Sequence, residues 1–170
     1  MGAILWHTAT TSSWIMLVPM MLLLLAICFG KEAFRADYPS DIRACMPPAS
    51  SREKRAGIFW GGLFLLSLLA GMTLSTWQFI SNGSGGFGAA YCAALLAGVV
   101  FIVYDLVIVD WLVICALRLP WAVVSGTEHC AGWSDYGFHF RILLQWKVLI
   151  TNLALPIIPA AIAYGVSVII

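Results

Sequence analysis

The stretch FGAAYCAALLAGVVFIVYDLVIVDWLVICAL, Phe87 to Leu117, runs for 31 residues and carries two charges, Asp105 and Asp110. A helix needs about 20 predominantly apolar residues to cross the hydrocarbon core of a bilayer. This run is long enough, and three others match it: Trp14 to Phe29, extended back toward Ala9, then Ala56 to Ile80, then Ile142 to Ile169. The whole chain agrees. Its 170 residues are 62% hydrophobic and 10% charged, with a mean hydropathy of +0.95. A soluble domain carries about 25% charge. The composition therefore excludes an ordinary soluble domain, a disordered chain and a collagen-like chain.

The expected architecture is one all-α domain over residues 1–170, an antiparallel four-helix transmembrane bundle with a cytoplasmic interfacial cap. Its helices are expected at 9–29, 56–80, 87–117 and 142–169. Polar segments 31–55 and 118–141 join them, with an uncharged turn from Ser81 to Gly86. A secretory signal is a poor reading of the first helix. Nothing before the apolar run is basic except His7, which reads as an exposed terminal residue, and Ile27 is too large for the position before a lipoprotein cysteine at Cys28. Pro19 predicts a kink in the first helix, and Pro156 with Pro159 a kink in the fourth. Ser50 and Glu53 have capping-box spacing, which starts the second helix there. Small residues recur at Gly57, Gly61, Ser67, Gly71 and Ser75, and again at Ala90, Ala94 and Gly98. Such strips let backbones approach closely. They predict packing of the second helix on the third, with a second copy of the chain or a partner membrane subunit as the other use.

Charge orients the chain. All nine Lys and Arg residues lie in or beside the two polar segments, from Lys31 to Arg55 and from Arg118 to Lys147. Basic residues favour the cytoplasmic side, so both segments are expected there, with both termini and the glycine turn outside. The aromatics between Arg118 and Arg141, Trp121, Trp133, Tyr136, Phe138 and Phe140, are expected to lay that segment on the membrane interface. Membrane lipid is thus the expected partner. Nothing indicates nucleic acid, because topology accounts for the basic residues.

An ionisable group inside a transmembrane run is a functional candidate, since burying it costs about 2.5–3.5 kcal/mol at mid-helix. Asp105 lies about 27 Å along its helix at 1.5 Å per residue, near the inner boundary, and Asp110 lies a turn and a half further. In an α-helix the two carboxylates diverge by about 140°. A dyad like that of lipoprotein signal peptidase is not expected from them, and that family's Asn-Asp motifs are absent. The second polar segment adds Glu128, His129, Asp135 and His139, in no strong metal spacing. Asp135 and His139 share a face if Ser134 caps a helix. The expected ligand site is Asp105, Asp110, Glu128, Asp135, His139 and Arg141; no cofactor is indicated. The five cysteines, Cys28, Cys45, Cys92, Cys115 and Cys130, contain no CxxC pair. They suggest neither a disulfide framework nor a zinc cluster, which speaks against a thiol oxidoreductase.

Asp37-Tyr38-Pro39-Ser40-Asp41 reads first as a turn. With Tyr104-Asp105-Leu106, Asp110-Trp111, Gly126-Thr127-Glu128 and the run Ala131 to Phe140, which ends Asp135-Tyr136-Gly137-Phe138-His139-Phe140, it resembles a family of small bacterial four-helix integral membrane proteins. The resemblance covers about residues 31–145. It implies a bacterial inner-membrane protein and no catalytic residue. That group has Met where this chain has Cys130, so the resemblance gives this cysteine no role. The function expected is binding or transport of a small ligand, lipid head group or ion at the cytoplasmic face. The alternatives are a membrane enzyme using His139 or Glu128 as base, and a structural subunit of a membrane complex.

Overall fold

The computed structural model describes residues 2–83 and 85–169. The chain is 81% helix, with no strand among the described residues. Six helices carry the architecture: α1 (Gly2–Gly30), α2 (Ser40–Cys45), α3 (Ser51–Ser81), α4 (Phe87–Ala116), α5 (Tyr136–Leu143) and α6 (Trp146–Ile169). Four of them, α1, α3, α4 and α6, are long and apolar enough to cross a membrane. Large apolar side chains such as Ile58, Leu66 and Ile169 are more than half exposed on these helices, as lipid-facing residues are.

Local chemistry explains the boundaries. The backbone N–H of Ser50 donates to the Glu53 carboxylate at 2.6 Å, and the Glu53 N–H donates to Ser50 Oγ at 3.3 Å. This reciprocal box opens α3. The α1 helix breaks at Met16, three residues before Pro19, whose ring has no N–H for the Ile15 carbonyl. In α6 the break falls at Leu155–Pro156, between the segments Trp146–Ala154 and Ile157–Ile169. Gly83 adopts φ +82° and Gly85 φ +93° after α3, a left-handed conformation that glycine enters without penalty. Ser84 of that turn lies outside the described residues.

The chain divides into two compact units. The first comprises Met1–Met20, Leu65–Val103 and Gln145–Ile170. Its core is built from Met16, Met72 and the alanines Ala90, Ala93, Ala94, Ala97, Ala160 and Ala163. The small-residue strip of α3 behaves differently from expectation. A Cβ on Gly71 would stand 2.9 Å from Met16 Cε and 3.2 Å from Ile15 Cγ2, so this face packs on α1 rather than α4. The α4 strip meets α3 through a large side chain, with Gly98 receiving Met72 Cε. His7 is no exposed terminal residue. Because α1 begins at Gly2 instead of near Ala9, His7 lies within the helix, with Nε2 2.9 Å from the Ser75 carbonyl and 3.3 Å from Ser75 Oγ. Ser12 Oγ sits 2.7 Å from the same hydroxyl. Polar side chains in a hydrocarbon environment satisfy one another in this way.

The second unit comprises Met21–Phe64 and Tyr104–Leu144. Here α1 and α3 touch backbone to backbone: a Cβ on Gly30 would fall 2.6 Å from Gly57 Cα. Only glycine fits there. Buried Tyr38, Ile42, Met46, Val109, Val113, Ile114 and Val124 form its core around Trp133. Trp133 departs from the interfacial placement expected of the segment's aromatics. It is 1% exposed, and its indole N–H donates to the Thr127 carbonyl at 2.9 Å. Tyr136 and Phe140 do remain exposed. Two basic residues act as clamps: Lys31 Nζ donates to the carbonyls of Val123, Trp121 and Pro120, and Arg35 to those of Met46, Pro47 and Arg43.

Candidate functional site

The site starts from a change of helical pitch. From Asp105 to Ala116, α4 is a π-helix, in which N–H groups bond to carbonyls five residues back, as Leu117 N does to Leu112 O at 2.8 Å. Residues five apart are then stacked neighbours on one face, as residues four apart are in an α-helix. The divergence expected for Asp105 and Asp110 therefore does not occur. The two carboxylates lie within electrostatic reach of each other.

The α5 helix supplies the cation. His139 is 8% exposed, and its Nδ1 stands 3.0 Å from Asp110 Oδ1, on a side chain 19% exposed. Asp135 positions the helix by capping it, its Oδ1 accepting from Phe138 N at 2.9 Å. Ser134, the expected cap, instead accepts from Arg118. Burial alone would push the His139 pKa down. The hydrogen bonds to Asp110 and then to buried Cys115 outweigh it and raise the value to about 9. His139 is therefore an imidazolium at neutral pH. Asp105 feels Asp110 first, then His139 and Asp37. Asp37 presents an exposed edge, yet crowding by neighbouring atoms and then the charge of Asp110 raise its carboxyl pKa. Next to it the buried Tyr38 hydroxyl is pushed far up by burial and by Glu32, Asp37 and Asp110. Asp105 and Asp110 thus share the field of one imidazolium, and Asp37 adds a third carboxylate within reach of Asp110.

The remaining expected residues lie elsewhere in this unit. Arg141 donates to Asp135 Oδ2 at 2.7 Å, and both side chains are substantially exposed. Crowding around Asp135 opposes ionisation, but the Arg141 and Phe138 donors prevail and hold its pKa below the usual carboxylate range. Gly137 leaves room for this pair, since a Cβ there would meet Arg141 Nη1 at 2.7 Å. The pair lines an open groove of about 410 Å³ together with Ser40, Asp41, Arg43 and Phe138. Glu128 is exposed and folds back on the Gly126 N–H at 2.9 Å, which keeps its pKa low. It takes no part in the His139 cluster. Glu128, Asp135 and Arg141 are not among the charges that act on Asp105. His139 interacts with it electrostatically, while hydrogen bonding to Asp110.

Several participants were not singled out by spacing. Asp37 and Tyr38 read as turn residues, and Cys115 as a small hydrophobe. Asp41 also read as part of the turn. Its carboxylate accepts from Gly132 N at 2.7 Å, tying the second polar segment to α2. Gly132 has no space for a Cβ, which would lie 2.8 Å from Pro39 Cβ and closer still to Asp41. This tie brings Cys45, His129 and Cys130 together, with their ligand-type atoms all within 4.8 Å of one another. Burial, Cys45 and the nearby carboxylates push the Cys130 thiol up to about 11. The sequence traces of these contacts were Asp37-Tyr38-Pro39-Ser40-Asp41 and the run Ala131 to Phe140 with Gly132, both quoted for their resemblance. The chain matches no protein-family model, no curated protein and no solved structure.

Proposed function

We propose that the chain is a multi-pass protein of a bacterial inner membrane that binds a proton or small cation at its cytoplasmic face, as part of transport. In this reading the four apolar helices form an antiparallel bundle with both termini outside, and the polar segments 31–55 and 118–141 form the cytoplasmic cap. One observation carries the site assignment: Asp110 pairs with the His139 imidazolium at the end of a membrane-spanning helix, and Asp105 and Asp37 lie within the electrostatic reach of that pair's carboxylate. The excess negative charge in a partly desolvated place favours uptake of a proton or cation. A pH-sensitive dye trapped in vesicles with the reconstituted protein tests this. The wild type should dissipate an imposed pH gradient, and Asp105→Asn and Asp110→Asn should slow it at least tenfold while the protein still folds. Wild-type rates in both variants would overturn the proposal and reduce Asp105 to a hydrogen-bond anchor.

The enzyme alternative draws less support from the site. His139 is protonated at pH 7 and so donates rather than accepts, and Glu128 lies outside the cluster. A second reading has its own support. The groove presents Arg43 and Arg141 beside Asp41 and Asp135. With Arg141 held by Asp135 and Asp41 by the Gly132 N–H, Arg43 is the cation it offers to the phosphate of a lipid head group. Binding to vesicles with and without phosphatidylglycerol, compared for wild type and Arg43→Ala, separates the two readings.

A further inference from the structure

The α2 helix ends at Cys45, and the segment tied to it by the Asp41–Gly132 hydrogen bond presents His129 and Cys130. Cys45 Sγ lies 3.9 Å from His129 Nε2, and the three ligand atoms fit within 4.8 Å. Cys45 and His129 are exposed, while Cys130 is buried and anchored, with Sγ 3.8 Å from the Asp41 carbonyl. A tetrahedral zinc ion with Zn–S of about 2.3 Å and Zn–N of about 2.0–2.1 Å sets its ligand atoms about 3.5–3.8 Å apart. The three atoms need to close by only about 1 Å to meet that geometry. Two sulfurs and one imidazole are the donor set of a soft divalent ion, and the Cys2His set is one that zinc uses with a fourth position left open.

We propose that Cys45, His129 and Cys130 form a zinc site with a water-accessible fourth position, distinct from the Asp110–His139 pair. Its scaffold is already built. The Cys130 N–H donates to the Thr127 carbonyl at 2.9 Å, Trp133 and Val124 hold Thr127, and Asp41 fixes Gly132. Sites whose supporting shell is set in advance hold their ligands in productive geometry. Both thiols are free, and on the proposed topology they face the cytoplasm, where thiols stay reduced.

The test uses the full chain in detergent, metal-stripped and reduced, titrated with Co2+ and then Zn2+. Expected are one Co2+ per chain, a near-ultraviolet thiolate-to-cobalt charge-transfer band, and its loss on adding Zn2+. Cys45→Ser and His129→Gln, both at exposed positions that leave folding intact, should each weaken Zn2+ binding by at least the roughly 10–100-fold that even an outer-shell loss costs. Cys130→Ser should weaken Zn2+ binding likewise and diminish the band, since one thiolate remains. Cys92→Ser, an exposed cysteine of the other unit, should change nothing. Absence of the band, or Zn2+ affinity unaltered in Cys45→Ser and His129→Gln, would overturn the proposal. So would a Cys45–Cys130 disulfide that forms in air equally fast with Zn2+ present.

Discussion

Replacing Asp110 by Asn removes a charge while keeping an oxygen within reach of the His139 ring. His139 has a pKa of about 9 in the folded protein against about 6.5 in an unfolded chain. The folded state therefore favours the imidazolium. The stabilisation is complete below about pH 6.5, falls away as pH rises, and is gone above about pH 9. The gap between the two values, at about 1.4 kcal/mol per pH unit, corresponds to about 3 kcal/mol. At 2–4 °C per kcal/mol for a chain of this size, wild type should lose about 6–12 °C of thermal midpoint between pH 6.5 and 9 in detergent. Asp110→Asn should lack most of this slope, because burial then acts on the ring with only Cys115 and the charge of Asp105 left to oppose it. At pH 6 it should be the less stable protein by about 3 kcal/mol, at the low end of what breaking a buried pair costs. The imidazole resonances of His139, followed in a background lacking His7 and His129, read the same quantity directly. A ring that titrates near 6.5 in wild type, or near 9 in Asp110→Asn, would refute the reasoning.

Gly71→Leu forces a side chain into Met16 and Ile15, so it should lower stability by about 1–3 kcal/mol in a detergent melt. Met16→Ala should relieve part of that loss, whereas Ala94→Gly on α4 should not. Gly132→Ala should part the second polar segment from α2, lower the thermal midpoint and expose Cys130 to a thiol reagent in a Cys45→Ser background. A reporter fused at residue 83 should read as external and one fused at residue 45 as cytoplasmic. The reverse pattern would invert the topology inferred from the nine basic residues.

The long apolar runs and the Ser50–Glu53 box were legible because each depends on neighbours in sequence. Hydropathy needs only length, and a capping box only a spacing of three. The site was less legible because its geometry follows a pitch that an α-helical reading does not supply. The twelve residues Asp105 to Ala116 include five β-branched side chains, Val107, Ile108, Val109, Val113 and Ile114, whereas the α-helical start of α4 is rich in alanine and glycine. Branching at Cβ crowds the preceding turn of an α-helix. The β-branched run Val99, Val100, Ile102 and Val103 nevertheless stays α-helical, so branching alone does not set the wider pitch, which brings the acids at 105 and 110 onto one face. The pairing of Gly71 with α1 was hidden for a different reason: a small-residue strip shows that a backbone can come close but not which one. The sulfur and imidazole cluster was hidden most deeply. Cys45 and Cys130 stand 85 positions apart, and what unites them is one hydrogen bond from Gly132 to Asp41, a glycine that has to lack a side chain and an acid that first reads as part of a turn. The same hydrogen bond therefore joins the two polar segments and gathers the three side chains of the proposed zinc site, so Asp41→Asn should weaken Zn2+ binding without touching any ligand atom, whereas the His139–Asp110 titration should be left where it is.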